Sequence, residues 1–534
     1  MGGLRGKWQP FLMIPVMLAM LSLVFLILPL VQVFSHMDAA SIESVFSGDT
    51  FAGVLGRSVI ASALTTVISI VLAYGLAWCT ERTAMEGKWV IRVLVSMPML
   101  IPSVSIGMGV IQLLGNSGIL TKLLSLPIGK IYGLSGIVLG GVLYALPVAF
   151  LMIVNTLKFE DAAPYEAATV LGIPKWRQFC AITLPFLRKP MISVIFSVFT
   201  LSFTDYGVPL MVGGKYKTLP VVMYQEVIGQ LNFGKGCVYG SILLVPAVIA
   251  FLLDLANQSE SNAAFLSRSF DLCRRPLRDG LAAVYGWSMA LFCVMPIAAF
   301  LVLAFVKQYP TDMGLTLENF VYTMKMGGRR YLLNSVCISS LTALAGVLTT
   351  TIAAYYTARN HTPMSRYLHL LCMSMAAIPG VVLGLSYVLL FRGSFLYGTI
   401  WLLVIVNTVH FFASPYLMMH TSFSKINENL EAVAWTLGIG RKHLLLDVML
   451  PMCRHTLAEM FSYFFVNSMM TISAVSFLSG TRTKPIALMI NQFEAQAQME
   501  YAAVVSLLIL AVNLTVKAIL GWLANHKKES SHAE

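Results

Sequence analysis

Hydrophobic and polar positions alternate along this chain in long blocks rather than residue by residue. Lys7 is followed by no charged residue until Asp38. That run is too long for the core of a cleaved signal peptide and reads as a retained first span, near 11–34. Further apolar runs long enough to cross ~30 Å of hydrocarbon lie near 55–79, 91–114, 133–157, 191–211 and 237–256. A second set lies near 280–306, 332–357, 367–391, 397–420, 456–479 and 501–523. Backbone groups in lipid have to be satisfied within their own segment, so the pattern predicts helices, six and then six. Between the sets stands "NQSESNAAFLSRSFDLCRRPLRDG", polar and basic. The expected organisation is a first half 1–256, a linker 257–279 and a second half 280–534.

Two polar loops interrupt the apolar pattern in the same way. "EAATVLGIPKWRQFCAITLP" (166–185) lies in the loop 158–190, and "EAVAWTLGIGRKHLLLDVMLP" (431–451) lies in the loop 422–455. Gly172 and Gly438 stand essentially half the chain apart, and Leu184-Pro185 and Leu450-Pro451 follow them at the same distance. Earlier, "IPSVSIG" (101–107) matches "IPGVVLG" (378–384), so Pro102 answers Pro379 and Gly107 answers Gly384. The offset between the copies shortens between that match and the pair Gly133 and Gly398, so the first half carries a longer outer loop there. Such a repeat is a tandem duplication of a six-span unit, and an even span count gives both halves the same topology.

Each polar loop reads as a short helix, a turn and a second short helix. Asp161 can cap the first, Pro164 is tolerated in its first turn, and Pro174 blocks continuation beyond Gly172. In the second copy Asn427 can cap, Gly438 can end the helix in the left-handed conformation, and Gly440 loosens the turn. The alanines let another surface approach closely, and the glutamate offers a charge to a basic or backbone-donor partner. A single copy would equally suit an amphipathic helix lying on lipid. Two matched copies on one side of the membrane favour docking to a partner with two equivalent sites.

Composition supports the same class. The chain has 534 residues, 57% of them hydrophobic and 11% charged, and its mean hydropathy is +0.78. A soluble chain would carry roughly 45–50% apolar and about 25% charged residues. The net charge of +12 reads as cytoplasmic loop charge rather than a nucleic-acid surface. With the N-terminus inside, 23 of the 36 Lys and Arg fall in cytoplasmic segments, and both polar loops do too. The eight cysteines show no C-x-x-C pair, and His410 and His420 lack the spacing of a metal pair, so no metal site is expected. No G-x-x-x-x-G-K-[ST] occurs, so this chain is not expected to hold nucleotide phosphates itself. No nucleophile–base constellation suggests a catalytic role.

Polar residues inside apolar runs are candidates for a solute pathway. Asp205 lies in or at the end of the fifth span, where it either faces a pathway or caps a turn before Gly207. Asn467, Ser468, Thr471 and Ser473 stand in the corresponding span of the second half, where they either line a polar path or join helices. Gly136-x-x-x-Gly140 and Gly380-x-x-x-Gly384 read as close helix packing.

The loop "EAATVLGIPKWRQFCAITLP" resembles the EAA loop in permease subunits of ATP-binding-cassette importers. The resemblance covers essentially the whole chain, as a fused double permease. It implies an all-α polytopic fold of two tandem type I permease halves with about 12 transmembrane helices. It also implies coupling to two copies of a separate ATPase through Glu166, Ala167, Ala168 and Gly172 in one loop and Ala434 and Gly438 in the other. Glu431 departs from the motif, standing seven residues before its glycine rather than six. The resemblance further implies ATP-Mg used by the partner alone, an extracytoplasmic solute-binding protein and a bacterial inner membrane, with both termini cytoplasmic. The chain itself would hold no cofactor and would pass a small-molecule solute, with no nucleic acid involved. Three segments, "FTDYGVPLMVGG", "YQEVIGQLNFGKG" and "FVNSMMTISAVSFL", look closest to 2-aminoethylphosphonate importers. Ferric iron, thiamine and spermidine-like permeases are similar as well. An ion-coupled secondary transporter would need more intramembrane charge than this sequence has, and a scaffold would leave the paired loops without a purpose.

Overall fold

A computed structural model describes residues 13–47, 50–125, 131–257, 270, 272–427 and 429–530. Most of the expected linker, 258–269 and 271, lies outside the described residues, as do residues 11 and 12 of the expected first span. Every other expected apolar run forms helix. In the first half these helices include Pro15–Ser35, Phe51–Arg82, Ser103–Leu123, Leu134–Lys158, Lys175–Thr204 and Phe233–Leu253. In the second they are Pro276–Phe305, Glu318–Arg359, two bent pairs, Arg454–Met470 and Met499–Leu523.

Nine of these are long and apolar enough to cross a membrane among the described residues, Glu318–Arg359 with a kink at Gly327, and the bent pairs bring the number to 11. The eleventh in chain order, Arg454–Met470, is the remaining one: it has 17 residues and follows a short, separately wound turn, so it falls just short of a full span in one piece. The chain is therefore a polytopic helical membrane protein of two tandem halves. Apolar side chains such as Val67, Val71, Leu344 and Leu348 stay exposed on the outside of the bundle, the face that lipid covers.

The breaks depart from the expected continuous spans, and they are paired. The third span is interrupted at Ile101-Pro102 and resumes as Ser103–Leu114. The ninth is interrupted at Ile378-Pro379 and resumes as Gly380–Phe391, bent by 105° from the helix before it. Proline disfavours helical backbone in the residue before it, and both prolines then start a new helix. The fifth span, expected to reach 211, ends at Thr204, with Asp205 in extended backbone. The eleventh, expected to reach 479, ends at Met470, with Thr471 in the same conformation. Short buried helices follow, Gly207–Val212 in one half and Val475–Phe477 in the other. The seventh helix begins at Pro276, ahead of the expected start at 280. A two-stranded hairpin, Val306–Gln308 with Asp312–Leu315, joins it to the next helix, where the hydropathy pattern shows only a polar gap.

At the ends far from the polar loops, both halves are pinned alike. Ser58 Oγ accepts from the Leu219 N–H and Ser335 Oγ accepts from the Ile486 N–H, each at 2.7 Å. These serines sit near the start of the second and eighth spans, at the same offset that relates Pro102 to Pro379.

Candidate functional site

The two polar loops fold as their sequences suggest. The first helix is Ala163–Val170 and the second Asn429–Thr436. Asp161 Oδ1 accepts from the Ala163 N–H, and Asn427 Oδ1 accepts from the Asn429 N–H. Both helices end in the same left-handed turn, with φ of +70° at Gly172 and +71° at Gly438. Ile173 N–H donates to Ala168 O at 2.9 Å, and Ile439 N–H to Ala434 O at 2.8 Å. Gly172 N–H reaches Thr169 O and Gly438 N–H reaches Trp435 O, completing a two-bond terminal motif in each copy.

The structure sorts the motif residues by direction. Glu166, Ala167, Gly172 and Gly438 are exposed. Ala168 and Ala434 are buried against this chain's own body. The close approach expected of the alanines is, at these two, an approach to the protein's own helices. What faces outward includes apolar side chains: Val170, Leu171 and Trp176 in one loop, Val433, Trp435 and Leu437 in the other.

Each loop is held by an arginine that the sequence pattern does not single out. Arg82 pairs with Glu160 at 2.5 Å and donates to Leu157 O at 2.8 Å. Tyr165 donates to the same glutamate and meets Thr183 Oγ1 at 2.5 Å. The Phe270 ring lies 3.8 Å from the Arg82 guanidinium carbon. In the second half Arg359 grips both oxygens of Glu431 and donates to Ile426 O at 2.8 Å. Arg82 and Arg359 are counterparts, related by the offset of Pro102 and Pro379. Glu160 and Glu431 are not: at the offset of the two loop glycines, Glu431 aligns with Tyr165. The departure of Glu431 from the motif thus has a structural account, since its carboxylate is the loop's internal anchor. A signal is present in the sequence: an arginine ends the second span of each half.

Between the halves, the four span breaks open onto one cavity of about 440 Å³. Asp205, Asn467, Thr471 and Ser473 line it, together with Ser103, Tyr144, His410 and Tyr463. Ser468 does not: it is buried, and its hydroxyl accepts from Asn407 Nδ2 at 2.8 Å, joining the tenth and eleventh spans. Asp205 has two structural roles. It lines the cavity, and its two oxygens accept from Gly207 and Val208 N–H at 3.2 and 3.1 Å, capping the short helix. Asp205 is the only acid among the described lining residues, and no Lys or Arg is among them.

This arrangement can do two things. A 440 Å³ space is the size of a small-molecule site, and breaks in spanning helices place backbone groups at membrane depth only where they line such a cavity. The paired loops offer apolar surfaces at one end of the same bundle.

Comparison with known proteins agrees. The ferric transport system permease protein of Actinobacillus pleuropneumoniae is 23% identical over 96% of this chain and 78% of its own length. The thiamine transport system permease protein of Salmonella typhimurium is 22% identical over 86% of each. The molybdenum transport system permease protein of Azotobacter vinelandii aligns over 88% of its length to only 36% of this chain, at 26% identity, so a half of this chain is comparable to a whole single permease. One family profile matches twice, at residues 85–258 and again at 346–529, and the chain accordingly belongs to the family of binding-protein-dependent transport system inner membrane components.

Proposed function

We propose that this chain forms the solute pathway of an ATP-driven importer, and that its two polar loops each seat one copy of a separate ATPase. The observation that carries this reading is the pair of identically capped loop helices, half the chain apart, presenting Val170 and Leu171 in one copy and Val433 and Leu437 in the other. Two matched apolar faces suit a two-fold partner. Glu166 and Ala167 lie on the docking face, and Gly172 and Gly438 set its shape. Ala168, Ala434 and Glu431 hold the loops to the body from beneath. The loops and both termini lie on the cytoplasmic side, where the ATPase uses ATP-Mg, and a solute-binding protein delivers from the other side.

The solute is 2-aminoethylphosphonate or a related phosphonate. Two of the three segments that resemble phosphonate importers supply cavity walls: 203–214 supplies Asp205 and Tyr206, and 465–478 supplies Asn467, Thr471 and Ser473. The names of the ferric and thiamine relatives favour a second reading, in which the solute is ferric iron or thiamine.

The test is ATP hydrolysis in proteoliposomes holding this chain, the ATPase and the binding protein. Stimulation by 2-aminoethylphosphonate, lost in Gly172→Pro, is the expected result. Stimulation by ferric iron or thiamine instead would keep the importer and discard the phosphonate.

A further inference from the structure

The duplicated breaks differ at one position that bears on what the cavity accepts. The fifth span ends at Asp205 and the eleventh at Thr471, two residues aligned at the offset of the loop glycines. Their backbones match, with φ −71°, ψ 128° at Asp205 and φ −69°, ψ 136° at Thr471. The second half thus makes the same break with a hydroxyl, so the break itself does not need a carboxylate. Asp205 does cap Gly207–Val212, with one backbone N–H on each oxygen. An ionised carboxylate can accept about four hydrogen bonds, so these two leave roughly half of its capacity unused. A charge inside the membrane is costly, and one that the scaffold does not require marks a functional site.

The rest of the cavity supplies this charge with no basic counterpart, since no Lys or Arg is among the described lining residues. His410 lines the cavity at the other break, where its Nε2 lies 2.9 Å from the position that a Cβ on Gly380 would take. What the lining does supply is aromatic. Tyr144, Phe196, Tyr206 and Phe251 come from the first half, and Phe411 and Tyr463 from the second. Tyr206 is buried with its ring stacked on Tyr224, so it is a fixed piece of wall, whereas the other five are only half-buried. The face of an aromatic ring attracts a cation, and does so more strongly where water is excluded. One carboxylate among aromatic rings, without a basic side chain, has the composition of a site for an organic cation. An inorganic oxyanion would meet a like charge there and no basic partner.

We propose that Asp205 and the aromatic rings of this cavity form a subsite for an ammonium group of the transported solute. The ligand class is an organic cation, with Asp205 as its counter-charge and the rings as its walls. The inference rests on the reading of the cavity as the importer's solute pathway. In 2-aminoethylphosphonate it assigns the amino end to Asp205. The two backbone N–H groups hold the carboxylate in place before a ligand arrives, which lowers the cost of binding. They also offset part of its charge, as the start of a helix does for an acid. The attraction that remains suits a transient site, where binding has to be weak enough to release.

The experiment uses the full chain purified with its ATPase and follows thermal unfolding during titration with tetramethylammonium. The controls are tert-butanol, which is compact and neutral, and methylphosphonate, all at constant ionic strength. Wild type is expected to be stabilised saturably by tetramethylammonium and by neither control. Asp205→Asn keeps an oxygen for the helix cap and removes the charge, and is expected to weaken the response about tenfold or more. Tyr144→Leu removes a ring and is expected to weaken it about threefold to tenfold, whereas Tyr144→Phe keeps the ring and stays within about twofold. If Asp205→Asn does not fold, the Tyr144 pair decides in the same way. Wild type responding to methylphosphonate and not to tetramethylammonium, or to tert-butanol as strongly, would overturn the subsite. Asp205→Asn responding like wild type would also overturn it and leave Asp205 as a helix cap only. Co-purification of the ATPase is scored separately: its loss in wild type would count against the importer reading, whereas its retention without a tetramethylammonium response rejects the subsite alone.

Discussion

The two halves of this protein share a backbone and divide the side-chain work differently. Both break the same two spans, pin a distant loop through a serine hydroxyl, and end the loop helix in the same left-handed glycine turn. Yet the anchor of the first loop is Glu160, before its helix, and that of the second is Glu431, within it. The first cavity corner carries Asp205 and the second Thr471. The difference teaches that duplication conserves the geometry that positions things: broken helices, glycine turns, an arginine at the end of a span. Side chains are then free to change places wherever the geometry can be met in more than one way.

Substitutions at matched positions can break this comparison, and the largest effect is expected at the arginines. The Glu160 side chain is 4% exposed and that of Glu431 is 23% exposed. Removing one partner from a buried pair strands the other charge, so Arg82→Ala is expected to cost about 3–5 kcal/mol. Arg359→Ala is expected to cost less, about 2–3 kcal/mol, because water reaches Glu431. Denaturation of the two purified variants side by side checks the order; equal losses would mean that the anchors are equivalent after all.

Next come the glycine turns. Proline cannot adopt the φ of +71° at Gly438, and it removes the N–H that bonds Trp435 O. Gly438→Pro is expected to destabilise the loop helix by about 3 kcal/mol, a loss of roughly a hundredfold in the ordered loop. Because Gly172 has the same geometry, Gly172→Pro is expected to match it within a factor of a few in ATPase activity. A variant at one loop that leaves activity intact would show that a single loop suffices.

The serine pins are expected to be weaker and equal. Ser58→Ala and Ser335→Ala each leave a buried N–H without its acceptor, at about 1–3 kcal/mol. Thermal unfolding of the pair should give shifts of the same size. The smallest effect is expected at Ser468, where alanine leaves Asn407 to find another partner at a cost of about 1 kcal/mol. Solute selectivity should not change, because Ser468 stands outside the cavity. A changed selectivity, read by competition for uptake, would place this residue on the pathway instead.

Much of the fold is legible in the sequence because lipid imposes a strong pattern. Long uncharged runs announce the spans, and the glycine-to-Leu-Pro spacing announces the repeat. Helix breaks within apolar runs are harder to see. A single acid at Asp205 and a single hydroxyl at Thr471 leave the surrounding run apolar, so the pattern carries the spans on to 211 and 479. The breaks at Pro102 and Pro379 do carry a signal, since each proline follows an isoleucine at the same place in both halves, but by itself it marks only the repeat. Asp205, Thr471 and Ser473 face the cavity because they sit at or beside those breaks, and Asn467 faces it from one helical turn earlier. Ser468 does not, because neighbouring positions on a helix face different directions. Tyr144 and His410 line the cavity from the fourth and tenth spans, and nothing in the sequence marks them, since an aromatic inside an apolar run resembles ordinary packing. The arginine anchors are hidden for another reason. A basic residue at a span end is what the loop-charge rule already expects, so nothing marks Arg82 and Arg359 as buried and paired.

The central claim is that this chain forms the solute pathway but draws its driving force from another subunit. The direct test is uptake of radiolabelled solute into proteoliposomes holding this chain alone, or this chain with the ATPase, the binding protein and ATP. Uptake that needs all the components, and that disappears in the Gly172→Pro, Gly438→Pro double variant, is the expected result. Concentrative uptake by this chain alone, driven by an ion gradient and indifferent to both glycine turns, would contradict it.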